Sequence, residues 1–463
     1  MEIDYQKLTE RNKEDLETGV KDRYGVIYSR DGKRLLRCVN DRLEKYKIRK
    51  GTEIICRDAF EEEYDGEHLM SIDIPDSVTA IGRGAFHGCA FLYQISIPDT
   101  VTYIGGWAFG KCESLYQLTL PASLKCIEGN PFCGCHYLNL KSNSALFSVK
   151  DDLLIDNDKH RLVAYLGHAE SVNIPDSIIS IDEAFWGCKS LKQVTIPNSV
   201  QTIGFRAFCG CESLRQIVIP DSVKNIKDEA FVWCTSLQQI TIPNSITTIE
   251  RDVFRGCRSL RQITIPDSVE TIGEGAFSEC ESLEQVKIPA SVTHIDEYAF
   301  CCESLKEINV DGANPYFTSV DNVLFSRDMS RIVKYAPGKT DSHYIIPNSV
   351  TEIADYAFYG SYELKSVVVP DGVVGIGEMS FSHCKQLESV TIPRSVRTIE
   401  KCAFANCGNL KSIFIPKSVE KIGLGAFVYC WNLKFRCEAE SKPEGWNERW
   451  NMNQCPVIWG AKP

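Results

Sequence analysis

A phenylalanine that returns at a near-constant interval constrains this chain more than any other feature. It stands at positions 60, 86, 109, 132, 185, 208, 231, 254, 277, 300, 358, 381, 404 and 427. Each unit starts from a proline, with Arg49 in that place in the first. A β-branched or leucine residue follows three places on, isoleucine six on, Phe eleven on and Cys fourteen on, with single deletions shifting some units by one. Successive prolines lie mostly 23 residues apart, as in Pro197, Pro220, Pro243, Pro266 and Pro289. One such unit is too small to bury its own apolar side chains. A fixed period of this length therefore implies stacked coils that share one continuous core.

The geometry of a unit follows from its residues. In Gln285-Val286-Lys287-Ile288 the apolar residues alternate, so Val286 and Ile288 face inward on a short strand while Gln285 and Lys287 face solvent. Pro289 has no N–H to donate and ends the pairing, and the recurring Pro-Asp-Ser or Pro-Asn-Ser is turn chemistry. Val292, Ile295, Phe300 and Cys302 then fill the interior on the returning side. Stacking puts Phe over Phe and Cys near Cys.

Three segments interrupt the period. Val26 to Leu36, Leu153 to Val163 and Val323 to Val333 each hold two apolar runs around a polar turn, with Asp-Gly at the turn of the first, and read as β-hairpins. They divide the coils into blocks of four, six and four. After Cys430 the period stops, and Trp431, Trp446, Trp450 and Trp459 read as a cap over the open apolar end. The expected organisation is one elongated domain: residues 1–47 as an N-terminal segment and capping hairpin, 48–437 as the solenoid with insertions near 141–170 and 311–344, and 438–463 as the cap.

Net charge and cysteine usage narrow the function classes. A net charge of −11 argues against general nucleic-acid binding, and no run of 18 apolar residues reads as membrane-inserted. Twelve of the 21 cysteines fall on the repeat's own Cys position, where a free thiol acts as a small buried hydrophobe and needs neither a bond nor a metal. The first twenty residues lack the apolar core of a signal peptide. Together these favour a cytoplasmic home, with a secreted or cell-surface location as the alternative.

The units spelled Ile265-Pro266-Asp267-Ser268-Val269-Glu270-Thr271-Ile272-Gly273-Glu274-Gly275-Ala276-Phe277, followed by Cys280 and Leu283, resemble the BspA-type leucine-rich repeat family. The hairpins and the Trp-rich ending resemble it too. The resemblance implies an α/β solenoid of the leucine-rich repeat kind, with about fourteen 23-residue coils, a parallel β-sheet, three inserted hairpins and a Trp-rich cap. Many members of that family are surface or secreted adhesion and host-interaction proteins.

No catalytic set, cofactor fingerprint or metal site emerges. Cys133-Gly134-Cys135 and Cys209-Gly210-Cys211 pair a ladder Cys with a neighbour and lack further ligands. The expected function is a non-enzymatic scaffold for a protein partner, bound through a concave sheet face, the hairpins or both. On that face the residue four before each proline is often Gln: Gln94, Gln117, Gln193, Gln216, Gln239, Gln262 and Gln285. Stacked amides can tie a sheet together or form a flat polar recognition strip. Beside them, Tyr93, Tyr116, Lys192, Arg215 and Arg261 vary, and variation on a regular scaffold can encode specificity. A glycan-binding adhesin is one alternative. A second alternative is a subunit that docks an acidic partner or nucleic acid through residues 21–50, where Arg30, Lys33, Arg34 and Arg37 belong to a local excess of positive charge. Against that reading stands a plain solvated hairpin, its charge partly neutralised by Asp58, Glu61, Glu62, Glu63, Asp65 and Glu67 in the next turn.

Overall fold

The computed structural model describes residues 4–61, 68–135 and 137–463. The fold is a β-solenoid of about 18 turns with parallel sheets and almost no helix. Two compact units make up the chain, Met1–Leu214 with Ser222–Asn225, and Arg215–Asp221 with Ile226–Pro463. Both are built from the same turn.

In the second unit the strand Gln239–Thr241 lies parallel between Gln216–Val218 and Gln262–Thr264, with Gln opposite Gln opposite Gln. Ile240 and Ile263 point inward and are buried, while the Gln and Thr side chains are exposed. Past Pro243 the chain corners and lays down a second, two-residue strand, Thr248–Ile249. This pairs with Thr271–Ile272, which pairs with His294–Ile295. The first unit repeats the pattern with Ile54–Ile55, Ala80–Ile81, Tyr103–Ile104 and Cys126–Ile127. Each such turn thus gives one strand to each of two parallel sheets.

Between the sheets runs the Phe column. Phe254 is stacked between Phe231 and Phe277, with ring centroids 5.7 and 5.6 Å away. In the first unit Phe60, Phe86, Phe109 and Phe132 are stacked at 5.3, 5.5 and 5.7 Å. The ladder cysteines sit beside them in a regular arrangement of their own. The Cys257 thiol donates to the carbonyl of Phe231 at 3.3 Å, Cys280 to Phe254 at 3.2 Å and Cys407 to Phe381 at 3.1 Å. Each sulfur satisfies a carbonyl of the preceding turn.

The α/β class expected from the sequence does not form. Among the described residues helix is limited to Tyr5–Thr9 and Lys13–Thr18. The cause lies on either side of most Phe residues of the column. The residue two before such a Phe is left-handed, as at Glu229 (φ 59°), Asp252 (55°) and Gly275 (63°). The residue two after it is left-handed as well, as at Trp233 (60°), Gly256 (71°) and Glu279 (60°). Two left-handed residues within five positions leave no room for a right-handed helical run. Consecutive turns form instead, closed by bonds such as Val232 N–H to Glu229 O at 3.2 Å and Cys234 N–H to Phe231 O at 3.1 Å.

Counting by Phe also undercounts the turns. Asn139–Ser142, Glu307–Val310, Lys434–Cys437 and Val457–Ile458 extend the first sheet without a Phe of their own. The first two lead into antiparallel strands and the last two end the chain, so nothing in the 11-residue Pro-to-Phe spacing marks them.

The antiparallel pairs are Val26–Tyr28 with Arg34–Cys38, Leu153–Asp156 with Arg161–Tyr165, and Val323–Ser326 with Arg331–Tyr335. A third strand joins each of them: Val20–Lys21, Phe147–Lys150 and Phe317–Val320. The closing strand of each hairpin then pairs in parallel with the next two-residue strand, so each hairpin starts a new run of the second sheet. Tyr165 and Tyr335 lie against Phe185 and Phe358 at 5.5 and 5.3 Å, on the rung a Phe fills elsewhere.

An arginine opens each closing strand and reaches back to what precedes it. Arg161 donates to the carbonyl of Ile127 at 2.6 Å, and Arg331 pairs with Glu297 as well as with Glu352 at 2.8 Å. Arg34 reaches Asp15 and the carbonyls of Leu8, at 3.3 Å, and Glu10. The N-terminal helices therefore occupy, beside the first hairpin, the place that a preceding turn occupies beside the other two. Tyr5 adds a ring stacked on Tyr103 at 4.7 Å. At the other end of the chain Trp446 and Trp450 are buried, with Trp446 Nε1 donating to Val419 O at 3.0 Å.

Candidate interaction surface

The outward positions of the first sheet carry the side chains picked out from the sequence. In the first unit Tyr93, Gln94, Tyr116 and Gln117 are all exposed and line one hollow of about 370 Å³, together with Asp99 and Asn143. The alternation of each strand dictates this. Ile95 and Leu118 are drawn into the core, so the residues before them must face outward. Gln193 is exposed, while Lys192 is half-buried and paired with Glu170 at 2.5 Å.

In the second unit Arg215, Gln216 and Gln239 are exposed on neighbouring rungs. Arg261, Gln262 and Gln285 share a separate hollow of about 580 Å³ with Glu284, Lys306 and Glu307. There Lys306 pairs with Glu284 at 3.0 Å, so this hollow is charged while the one in the first unit is aromatic.

The basic stretch is partly spent on the chain itself. Lys33 pairs with Glu53 at 2.8 Å, and Arg34 is committed to the N-terminal helices. Arg30 and Arg37 are exposed. Glu62, Glu63, Asp65 and Glu67 lie outside the described residues.

Burial pushes Cys135 and Cys384 up to about 12, far from the range in which a thiolate forms at neutral pH. Among the described residues no group of three His, Cys, Asp or Glu side chains could hold a metal ion, and no helix is long and apolar enough to cross a membrane.

One set of surface residues escaped the sequence reading. Ile345 and Val368 are exposed two places before their prolines, and Phe414 is half-buried at the same position. The signal was present as strands that are apolar at three consecutive positions, Tyr344-Ile345-Ile346, Val367-Val368-Val369 and Ile413-Phe414-Ile415, where the alternation rule forces the middle residue outward.

Comparison with known proteins agrees with this architecture. The family model for the BspA type leucine-rich repeat region matches residues 38–159, 164–253, 224–335 and 330–437. A leucine-rich cell surface protein from Faecalibacterium prausnitzii is 28% identical, with 69% of this chain and 96% of that one aligned and a TM-score of 0.56. A leucine-rich repeat protein from Bacteroides ovatus is 25% identical over 95% of this chain and 97% of its own, with a TM-score of 0.39. No curated protein matches in sequence. With the repeat model covering most of its length, the chain belongs to the BspA-type leucine-rich repeat family.

Proposed function

We propose that the chain is a non-enzymatic scaffold that binds a protein partner through the outward side chains of its first sheet, centred on Tyr93, Gln94, Tyr116 and Gln117. The fold is one that generally serves protein interaction. The observation that carries the reading is the hollow in the first unit, where Tyr93 and Tyr116 are 42% and 59% exposed beside two amides. Tyrosine gives a large contact area at little cost in side-chain entropy, which is why it concentrates at binding hot spots. In the second unit the Gln rungs that stand directly opposite one another form a polar strip of their own.

A glycan is the second reading, because the same hollow sets two aromatic rings beside the Asp99 carboxylate and the Asn143 amide. Docking through Arg30, Lys33, Arg34 and Arg37 has less support, since Arg34 and Lys33 already hold carboxylates. A reducing compartment suits the buried thiol column, whereas the Faecalibacterium relative is described as a cell surface protein.

The test is affinity capture from source-cell and host-cell extracts with the native chain and with Tyr93→Ala/Tyr116→Ala. Truncating two central aromatics should weaken capture of the true partner by tenfold or more. Capture that is unchanged by the double substitution rejects the assignment, and capture of glycan rather than protein selects the second reading.

A further inference from the structure

The last six rungs of the first sheet differ from the others in what they show to solvent. Two places before the proline, most rungs carry a polar residue, as at Thr241 and Thr264. Here the column reads Ile345, Val368, Thr391, Phe414, Arg436 and Ile458. Ile345 stands opposite Val368, and Val368 opposite Thr391. Phe414 stands opposite Arg436, and Arg436 opposite Ile458. Ile345, Ile458 and Val368 are 72%, 57% and 43% exposed. Single exposed aliphatics are ordinary on a protein surface, but Ile345 and Val368 paired on adjoining rungs, with Phe414 and Ile458 at the same position of later rungs, mark a contact surface.

Cations frame the column. Lys365, Lys411, Lys434 and Arg436 stand on the face, with Arg394 and Lys417 at its proline edge, against the carboxylates of Asp371, Glu388 and Glu438. Glu438 is already taken by Arg394 at 2.7 Å, and the Arg436 guanidinium lies 5.9 Å from the Phe414 ring centroid. Lys365, Lys411 and Lys434 make no ion pair among the described residues. This local positive excess belongs to a chain of net charge −11.

We propose that this strip docks an acidic amphipathic helix of a protein partner, apolar side chains on Ile345, Val368 and Phe414 and carboxylates on the flanking lysines. The proposal rests on the sheet-face reading above and narrows it to a place and a chemistry. Rungs repeat about every 4.8 Å, and a helix returns a side chain to one face about every 5.4 Å. A helix laid along the stack therefore sets positions i and i+4 over Ile345 and Val368, i+7 over Thr391 and i+11 over Phe414. An extended strand, with same-face side chains about every 6.6 Å, falls out of step sooner. Opposite charges on the two flanks would orient the encounter and make it salt-sensitive.

A random-peptide display library panned against the full-length protein tests this. Enriched peptides are titrated by fluorescence anisotropy against the native chain, Val368→Glu, Val218→Glu and Tyr116→Ala. Val218 is 77% exposed at the equivalent position of its own rung, but Thr241 stands opposite it, so it serves as a control outside the column. The expected peptides are rich in Asp and Glu with apolar residues at i, i+4 and i+11. They bind Val368→Glu at least tenfold more weakly, bind Val218→Glu as the native chain, and weaken as salt rises. Ile345→Glu gives the same result if Val368→Glu fails to fold. Basic or neutral peptides, or peptides that bind Val368→Glu as tightly as the native chain, overturn the proposal. If those peptides instead lose affinity for Tyr116→Ala, the sheet-face reading survives without this strip; indifference to every substitution removes both. Binding to phosphatidylglycerol vesicles that is lost in Val368→Glu, with no acidic peptide enriched, reassigns the strip to an anionic membrane surface.

Discussion

Cys384 shows how much a single side chain can commit a turn to one protonation state. Its thiol is fully buried and donates to the carbonyl of Phe358 at 3.1 Å. Burial raises its pKa to about 12, as it does for Cys135. The folded chain thus holds these protons more tightly than the unfolded one. The stability they contribute is intact below the ordinary thiol pKa and is lost as pH climbs from about 9 towards 12, by up to about 1.4 kcal/mol per pH unit for each thiol. Circular dichroism in reductant from pH 8 to pH 12 should show cooperative alkaline unfolding; a flat signal to pH 12 would contradict thiols that must stay protonated. The phenylalanines set a different kind of limit. Phe254→Ala should remove a ring packed on both faces and cost about 3–5 kcal/mol. Hydrogen exchange should show the lost protection centred on residues 231–280, and unchanged protection there would count against the stacking register.

The hairpins act at the scale of the element, because each replaces a returning segment. Tyr335 takes the Phe rung above Phe358 and is 1% exposed. Tyr335→Phe should therefore change the melting temperature little, while Tyr335→Ala should cost about 3–5 kcal/mol and loosen the hairpin Val323–Ser326 with Arg331–Tyr335. Equal losses in both variants would assign the residue's role to its hydroxyl, which lies 3.5 Å from Asp341, and not to its ring. The hairpins were legible because their turn chemistry and paired apolar runs are local. The parallel two-residue strands such as Thr248–Ile249 were not, since a pair of residues has no period to detect. Helix content was misjudged for a related reason: left-handed backbone at Glu229 or Met379 has no signature when the residue is not Gly. At the candidate site, Gln and Tyr positions followed directly from strand alternation, whereas Ile345, Val368 and Phe414 sit in runs of three apolar residues, where the outward position stands out only once the strand is placed.

For the whole molecule, stability is a sum over turns and their interfaces with neighbours, so damage stays local. Trp446 and Trp450 cover the last turns, with Trp450 at 4.6 Å from Phe435 and 6.3 Å from Phe427. Trp446→Ala should fray residues 404–437 in hydrogen exchange and leave 54–127 protected; uniform loss would instead indicate all-or-none unfolding. The thiol column turns this localisation into something that can be read directly. A cysteine lies in nearly every turn, each at a known position, and all but Cys38, Cys126, Cys188 and Cys402 are buried while the turn is closed. Brief exposure to an alkylating agent at a series of urea concentrations, followed by peptide mass mapping, would record which turns have opened and in what order. The chain is in effect written with its own ruler, graduated about every 23 residues.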